Sequence, residues 1–121
     1  MERINFIDHN NHRILFLDFS GLQDPGVITE VIKEAKSTIA AQEKDSLLTL
    51  TDVSNMSKHP DIARALWQLL KHNKPYVRAA AVIGISSDEE LSLYDLLRHQ
   101  AHRKLELFQS IEQAEDWLVD Q

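Results

Sequence analysis

The sequence predicts one α/β domain spanning residues 1–121. Its sheet is a single mixed layer of about five strands, mainly parallel, with four helices in the order ββαβαβαβα. Three observations lead there. Short apolar runs alternate along the chain with segments whose apolar residues recur at helical spacing. The first two runs are separated only by His9-Asn10-Asn11-His12, too short a stretch for a helix. Each later helical segment opens on a capping residue or a proline.

Ile4 and Phe6, then Ile14, Leu15, Phe16, Leu17 and Phe19, read as two strands of a hairpin. Asparagine in the turn tolerates the positive φ that a tight hairpin needs. Asp24 caps a first helix with Pro25 at its first position. Val27, Ile28, Val31, Ile32, Ala35 and Ile39 form its inward face. Leu47 to Val53 reads as a buried strand of the parallel type.

Pro60 opens a second helix with a core stripe of Ile62, Ala63, Leu66, Leu69 and Leu70, and Asn73-Lys74-Pro75 ends it. Val77 to Ile85 is the central strand, and its alanines suit close approach by a helix. Ser87-Asp88-Glu89-Glu90 is a capping box before a third helix that buries Leu91, Tyr94, Leu97 and Ala101. Leu105, Leu107 and Phe108 make a short last strand. Ser110-Ile111-Glu112-Gln113 caps a terminal helix with Ile111, Ala114, Trp117 and Leu118 inward. Internal repeats and low-complexity tracts are not evident in the sequence.

Composition narrows the function classes. Hydrophobic residues are 43% and charged residues 26%, as in an ordinary globular domain. Thirteen Lys and Arg against nineteen Asp and Glu leave a net charge of −6, which opposes a general nucleic-acid binder. With no cysteine, disulfides and thiolate chemistry are excluded. No apolar run reaches the length of a transmembrane helix, and a cytoplasmic setting is expected. No cofactor motif is present, and the three glycines stand too far apart for a phosphate loop.

Open α/β sheets bind ligands beyond the carboxyl ends of their strands, where helix N-termini point. That edge collects Asp18, Ser20 and Asp24, then Asp52, Ser54, Asn55, Ser57 and His59. One reading is a polar recognition edge with a phosphoryl-accepting hydroxyl; the other is that these residues are caps and turn formers. Asp52, Ser54, Asn55, Ser57 and His59 form the candidate partner loop. Asp52, Ser57 and His59 supply the residue types of a hydrolase triad, without a nucleophile elbow or an oxyanion-hole glycine.

The opposite edge is basic. Between Ile62 and Ser87 there is no acid, while Lys71, Lys74 and Arg78 are present. Arg98-His99-Gln100-Ala101-His102-Arg103-Lys104 is a second acid-free run. Lys71, Lys74, Arg78, Arg98, His102 and Arg103 are the candidate anion-binding residues. The competing reading is that cations simply favour helix C-termini. His99 and His102 share a helical face, but no third metal ligand stands at a diagnostic spacing, so no metal site is expected.

Several segments together resemble the small SpoIIAA-like bacterial proteins of the STAS group. They are I-L-F-L-D-F-S-G-L (14–22), S-L-L-T-L-T-D-V (46–53), H-N-K-P-Y-V-R-A-A-A-V-I-G-I (72–85) and R-H-Q-A-H-R-K-L-E-L-F-Q-S-I-E-Q-A-E-D-W-L (98–118). The resemblance implies a STAS-type α/β fold, related in shape to CRAL-TRIO lipid-binding domains, and usually no catalysis. Some STAS proteins antagonise anti-sigma factors and are switched by phosphorylation of a serine after a central strand. Asp52 and Ser54 match the start of that loop. Asn55 stands where its glycine is expected, and Pro60-Asp61-Ile62 where its acceptor serine is expected, leaving Ser57 as a displaced hydroxyl.

The expected function is therefore a non-catalytic regulatory or protein-interaction module with a protein partner. The alternative is a binding or carrier protein for a lipid or small apolar anion. A homodimer is plausible on the general frequency of symmetric pairs.

Overall fold

The computed structural model describes residues 2–86 and 104–121. Five strands, β1 (Ile4–His9), β2 (His12–Asp18), β3 (Leu47–Asp52), β4 (Val77–Ile83) and β5 (Lys104–Phe108), lie side by side in sequence order. β1 runs antiparallel to β2, and every later pair is parallel. The hairpin turns on Asn10 (φ 49°) and Asn11 (φ 65°), two left-handed residues as a two-residue turn of that twist requires.

Helices α1 (Pro25–Ala40) and α2 (Pro60–Asn73) connect parallel neighbours, and α3 (Ile111–Val119) follows β5. Right-handed crossovers in one steady direction place α1 and α2 on the same face, where they pack against each other. Their core holds Ile28, Ile32, Leu66 and Leu69 against Leu15, Leu17, Ala80 and Val82. Alternate residues of the same strands, Ile14, Leu48, Leu50, Ala79, Ala81 and Ile83, meet Ala114 and Leu118 of α3 on the other face. Both faces are therefore buried, which explains the near-continuous apolar runs of β3 and β4.

The α/β class, the five-strand mixed sheet and the order of the described elements agree with expectation. Three helices are present among the described residues, and the fourth expected helix falls on 87–103, outside them. Several expected core positions differ. Val27 is 45% and Ile111 39% exposed, because each lies in the first turn of its helix beside the cap. Ala63 and Leu70 are half-buried, as is Trp117, which leans on Phe108 with ring centroids 5.5 Å apart. Asn73 is buried instead, one turn beyond Leu69 on the inward face of α2.

Among the described residues Asn73 and Thr49 are the buried polar ones, and both line a gap of about 20 Å³ between α2 and the sheet. Asn73 Oδ1 pairs with His72 Nδ1 at 3.0 Å. The Thr49 hydroxyl has no hydrogen bond among the described residues, and burying it so costs free energy. Thr49→Val keeps the shape and removes the hydroxyl. Its unfolding free energy, from urea denaturation, is expected to stay within about 1 kcal/mol of wild type or to rise. A loss above that would mean that the hydroxyl is satisfied.

Candidate functional site

The carboxyl edge is built from two copies of one turn. β2 ends in Asp18-Phe19-Ser20-Gly21-Leu22 and β3 in Asp52-Val53-Ser54-Asn55-Met56, with Asp18 and Asp52 directly paired in register. In each, one carboxylate oxygen accepts from the serine two residues on. Asp18 Oδ1 takes Ser20 N at 3.0 Å and Ser20 Oγ at 2.5 Å; Asp52 Oδ1 takes Ser54 N at 2.9 Å and Ser54 Oγ at 2.6 Å. The fourth residue of each is left-handed, Gly21 at φ 71° and Asn55 at φ 56°. Asparagine is the residue other than glycine that best tolerates that region, so Asn55 preserves the turn. The fifth residue, Leu22 or Met56, is buried and anchors the loop.

The turns are also bonded to each other. Phe19 N donates to Asp52 O at 2.9 Å, Gly21 N to Ser54 O at 2.8 Å and Ser57 N to Leu22 O at 2.8 Å. The Arg3 guanidinium donates to Ser20 O at 2.9 Å and lies 3.7 Å from Asp18 Oδ1. Gln23 Nε2 donates to Asn55 O at 2.6 Å. Behind the second turn stands Gly84 (φ 95°), where an added Cβ would fall 2.3 Å from Ser54 Oγ and 2.4 Å from Ser54 N.

The candidate loop residues are thus close in space, with unequal roles. Asp52 and Ser54 bind each other, and Ser54 is half-buried against Gly84. Ser57 does not cap α2. Its Oγ accepts from His59 N at 3.3 Å, and His59 is the cap, with Nδ1 accepting from Asp61 N at 3.1 Å. Pro60 explains the difference: it takes the first helical position, so the cap must be the residue before it. With His59 Nδ1 engaged and Asp52 bonded to Ser54, Ser57 has no imidazole base and the triad types are not assembled. Asn55 and His59 face solvent.

Asp52→Ala removes the acceptor of two bonds, one from a backbone N–H. A stability loss of about 1–2 kcal/mol is expected. Hydrogen exchange should also speed up at the Ser54 amide, and an unchanged amide would disprove the turn's dependence on Asp52.

At the amino edge, Lys71 lies in the last turn of α2, Lys74 follows it and Arg78 enters β4. Leu47 pairs with Val77 and Leu48 with Ala79, so Arg78 is the extra residue of a bulge, and it is exposed. Arg98, His102 and Arg103 lie outside the described residues. Among the described residues no cluster of three metal-ligating side chains occurs, and no helix is long and apolar enough to cross a membrane.

Sequence reasoning put the loop after the third strand, where it lies, and missed the doubling. Asp-apolar-Ser followed by Gly or Asn and an apolar residue occurs at 18–22 and 52–56, a signal too short to stand out as a repeat. Gly84 was legible only as punctuation, because its neighbour Ser54 is distant in sequence.

No protein-family model matches the chain, and no curated protein is significantly similar to it. A solved structure is similar: an uncharacterized protein of the DUF3478 family, with a SpoIIAA-like fold, from Shewanella loihica PV-4. The TM-score is 0.76 at 16% sequence identity, over 95% of this chain and 91% of that one. The order of strands and helices and the near-complete overlap lead to one conclusion: the chain has the SpoIIAA-like fold.

Proposed function

We propose that the chain is a non-catalytic protein-interaction module whose contact surface is the loop of residues 54–59. The observation that supports this is the way the loop is held. Met56 is buried beneath it, backbone bonds tie it to the first turn, and Asn55 and His59 are left pointing outward. A loop ordered before binding loses little entropy when a partner docks. Its hydroxyls serve the turns, Ser54 bonded to Asp52 and Ser57 to the His59 backbone N–H. None is hydrogen-bonded to an imidazole among the described residues, so the arrangement suits recognition better than group transfer.

The carrier reading has less support among the described residues. Ligand pockets usually measure about 300–1,000 Å³, whereas the apolar gap beneath α2 holds about 20 Å³. A larger depression of about 470 Å³ is an open groove along α1 with Glu30, Lys33 and Glu34 on its walls, which gives an apolar tail no enclosure.

A photo-crosslinking residue at Asn55, used in cells, is expected to yield a discrete adduct with one partner. The same residue at the exposed Ser37 of α1 should not. Equal labelling at both positions, or none at Asn55, would end the proposal.

A further inference from the structure

Several cations elsewhere on the described surface have partners. Arg3 lies against Asp18, Lys33 against Glu30, Arg64 against Asp61 and Arg13 over the Phe6 ring. Those of the amino edge beside β3, β4 and β5 form no ion pair among the described residues. They are Lys44, Lys71, Lys74, Arg78 and Lys104, and all are exposed.

The fold brings these cations together. Asp45 N donates to Pro75 O at 3.0 Å and Ser46 N to Tyr76 O at 3.1 Å, placing the loop that carries Lys44 beside the one that carries Lys74. Ala79 pairs with Lys104, one residue from Arg78. Glu43 and Asp45 share that loop and offset part of the charge. The acids of α3 meet the other end of the edge, where Asp116 Oδ1 lies 2.8 Å from His9 Nε2.

Two amphipathic rings join the cations. Trp67 is half-buried with Lys71 Nζ 5.7 Å above its ring, and half-buried Tyr76 stacks on His72 at 6.1 Å. We propose that this edge docks on an anionic lipid bilayer. Four of the five cations are lysines, flexible point charges that suit a diffuse field; recognition of one phosphate favours the planar fork of arginine. Tryptophan and tyrosine settle at headgroup level, with an apolar body and a polar tip. Distant acids matter little, since charges farther than about 8 Å are screened at physiological salt.

The test is co-sedimentation with phosphatidylcholine vesicles, with and without about one third phosphatidylserine. Wild-type protein should pellet with the anionic vesicles, more at low salt, and stay in solution with the neutral ones. Each cation near such a surface contributes about fivefold in partitioning, so Lys71→Gln/Lys74→Gln/Arg78→Gln should bind about 100-fold more weakly. Its circular dichroism should match wild type, and Lys33→Gln on α1 should bind normally. In a Trp117→Phe background, Trp67 emission should shift to the blue on the anionic vesicles. The proposal is overturned if neutral vesicles bind equally or if the triple variant binds undiminished. It is also overturned if polyglutamate or an oligonucleotide binds wild type while anionic vesicles do not.

Discussion

Gly84→Ala is expected to lower the unfolding free energy by about 3 kcal/mol. Two independent costs act at one position. The backbone sits at φ 95°, a region that L side chains rarely adopt, and strain of this kind costs about 1–3 kcal/mol. The new Cβ would also meet the Ser54 hydroxyl, amide nitrogen and Cα at 2.3, 2.4 and 2.7 Å. Two of those contacts are backbone, which cannot swing away as the end of a flexible chain does, and overpacking of this sort adds about 1–3 kcal/mol. The damage should centre on the second turn, since Ser54 must move and its bonds to Asp52 hold the loop in place. Urea denaturation measures the loss, and amide chemical shifts should change most at residues 52–57. A variant within about 0.5 kcal/mol of wild type would show that the close approach to Ser54 is wrong.

Phe19→Ala should cost about 3–5 kcal/mol. Phe19 is fully buried and is the second residue of the first turn, flanked in sequence by Asp18 and Ser20, whose side chains bond to each other. Its backbone N–H ties the two turns together by donating to Asp52 O, and its carbonyl closes the first turn by accepting from Leu22 N at 3.2 Å. Removing the ring leaves a cavity under both turns at once. The loop of residues 54–59 rests on Leu22 through Ser57, so it should loosen as stability falls. Phe19→Leu refills most of the space and should cost under about 1.5 kcal/mol. A crosslinker at Asn55 then separates stability from recognition. Its adduct should survive in Phe19→Leu and fade in Phe19→Ala. An equal stability loss in the two variants would contradict the cavity account.

Much of this molecule is readable from local chemistry. Asn10-Asn11 specifies a hairpin because asparagine accepts positive φ, and both residues adopt it. Asp24-Pro25 specifies a helix start, and Asp24 Oδ1 accepts from Gly26 N at 2.7 Å. Ser110 does the same for α3, accepting from Gln113 N at 3.2 Å. These signals work because donor, acceptor and backbone preference lie within four residues of one another. Burial is less legible at helix ends, where periodicity counts a first-turn valine or isoleucine as inward before anything covers it. Val27 and Ile111 are exposed for that reason.

The candidate site divides the same way. Residues 52–59 could be singled out, but the role of each could not. Capping preference favours Ser57, a proline at the first helical position favours His59, and the His59 ring takes the place.

The local sequence alone sets the strands, the caps and the class of fold, because those follow from contacts between near neighbours in the chain. The strand order, the pairing of Asp18 with Asp52 and the approach of Gly84 to Ser54 join residues about thirty positions apart. So does the gathering of unpaired cations at one edge, which comes from loops brought together when the sheet forms. Such contacts become certain only once the sheet has chosen its register, since a slip of one residue would turn every strand side chain to the opposite face.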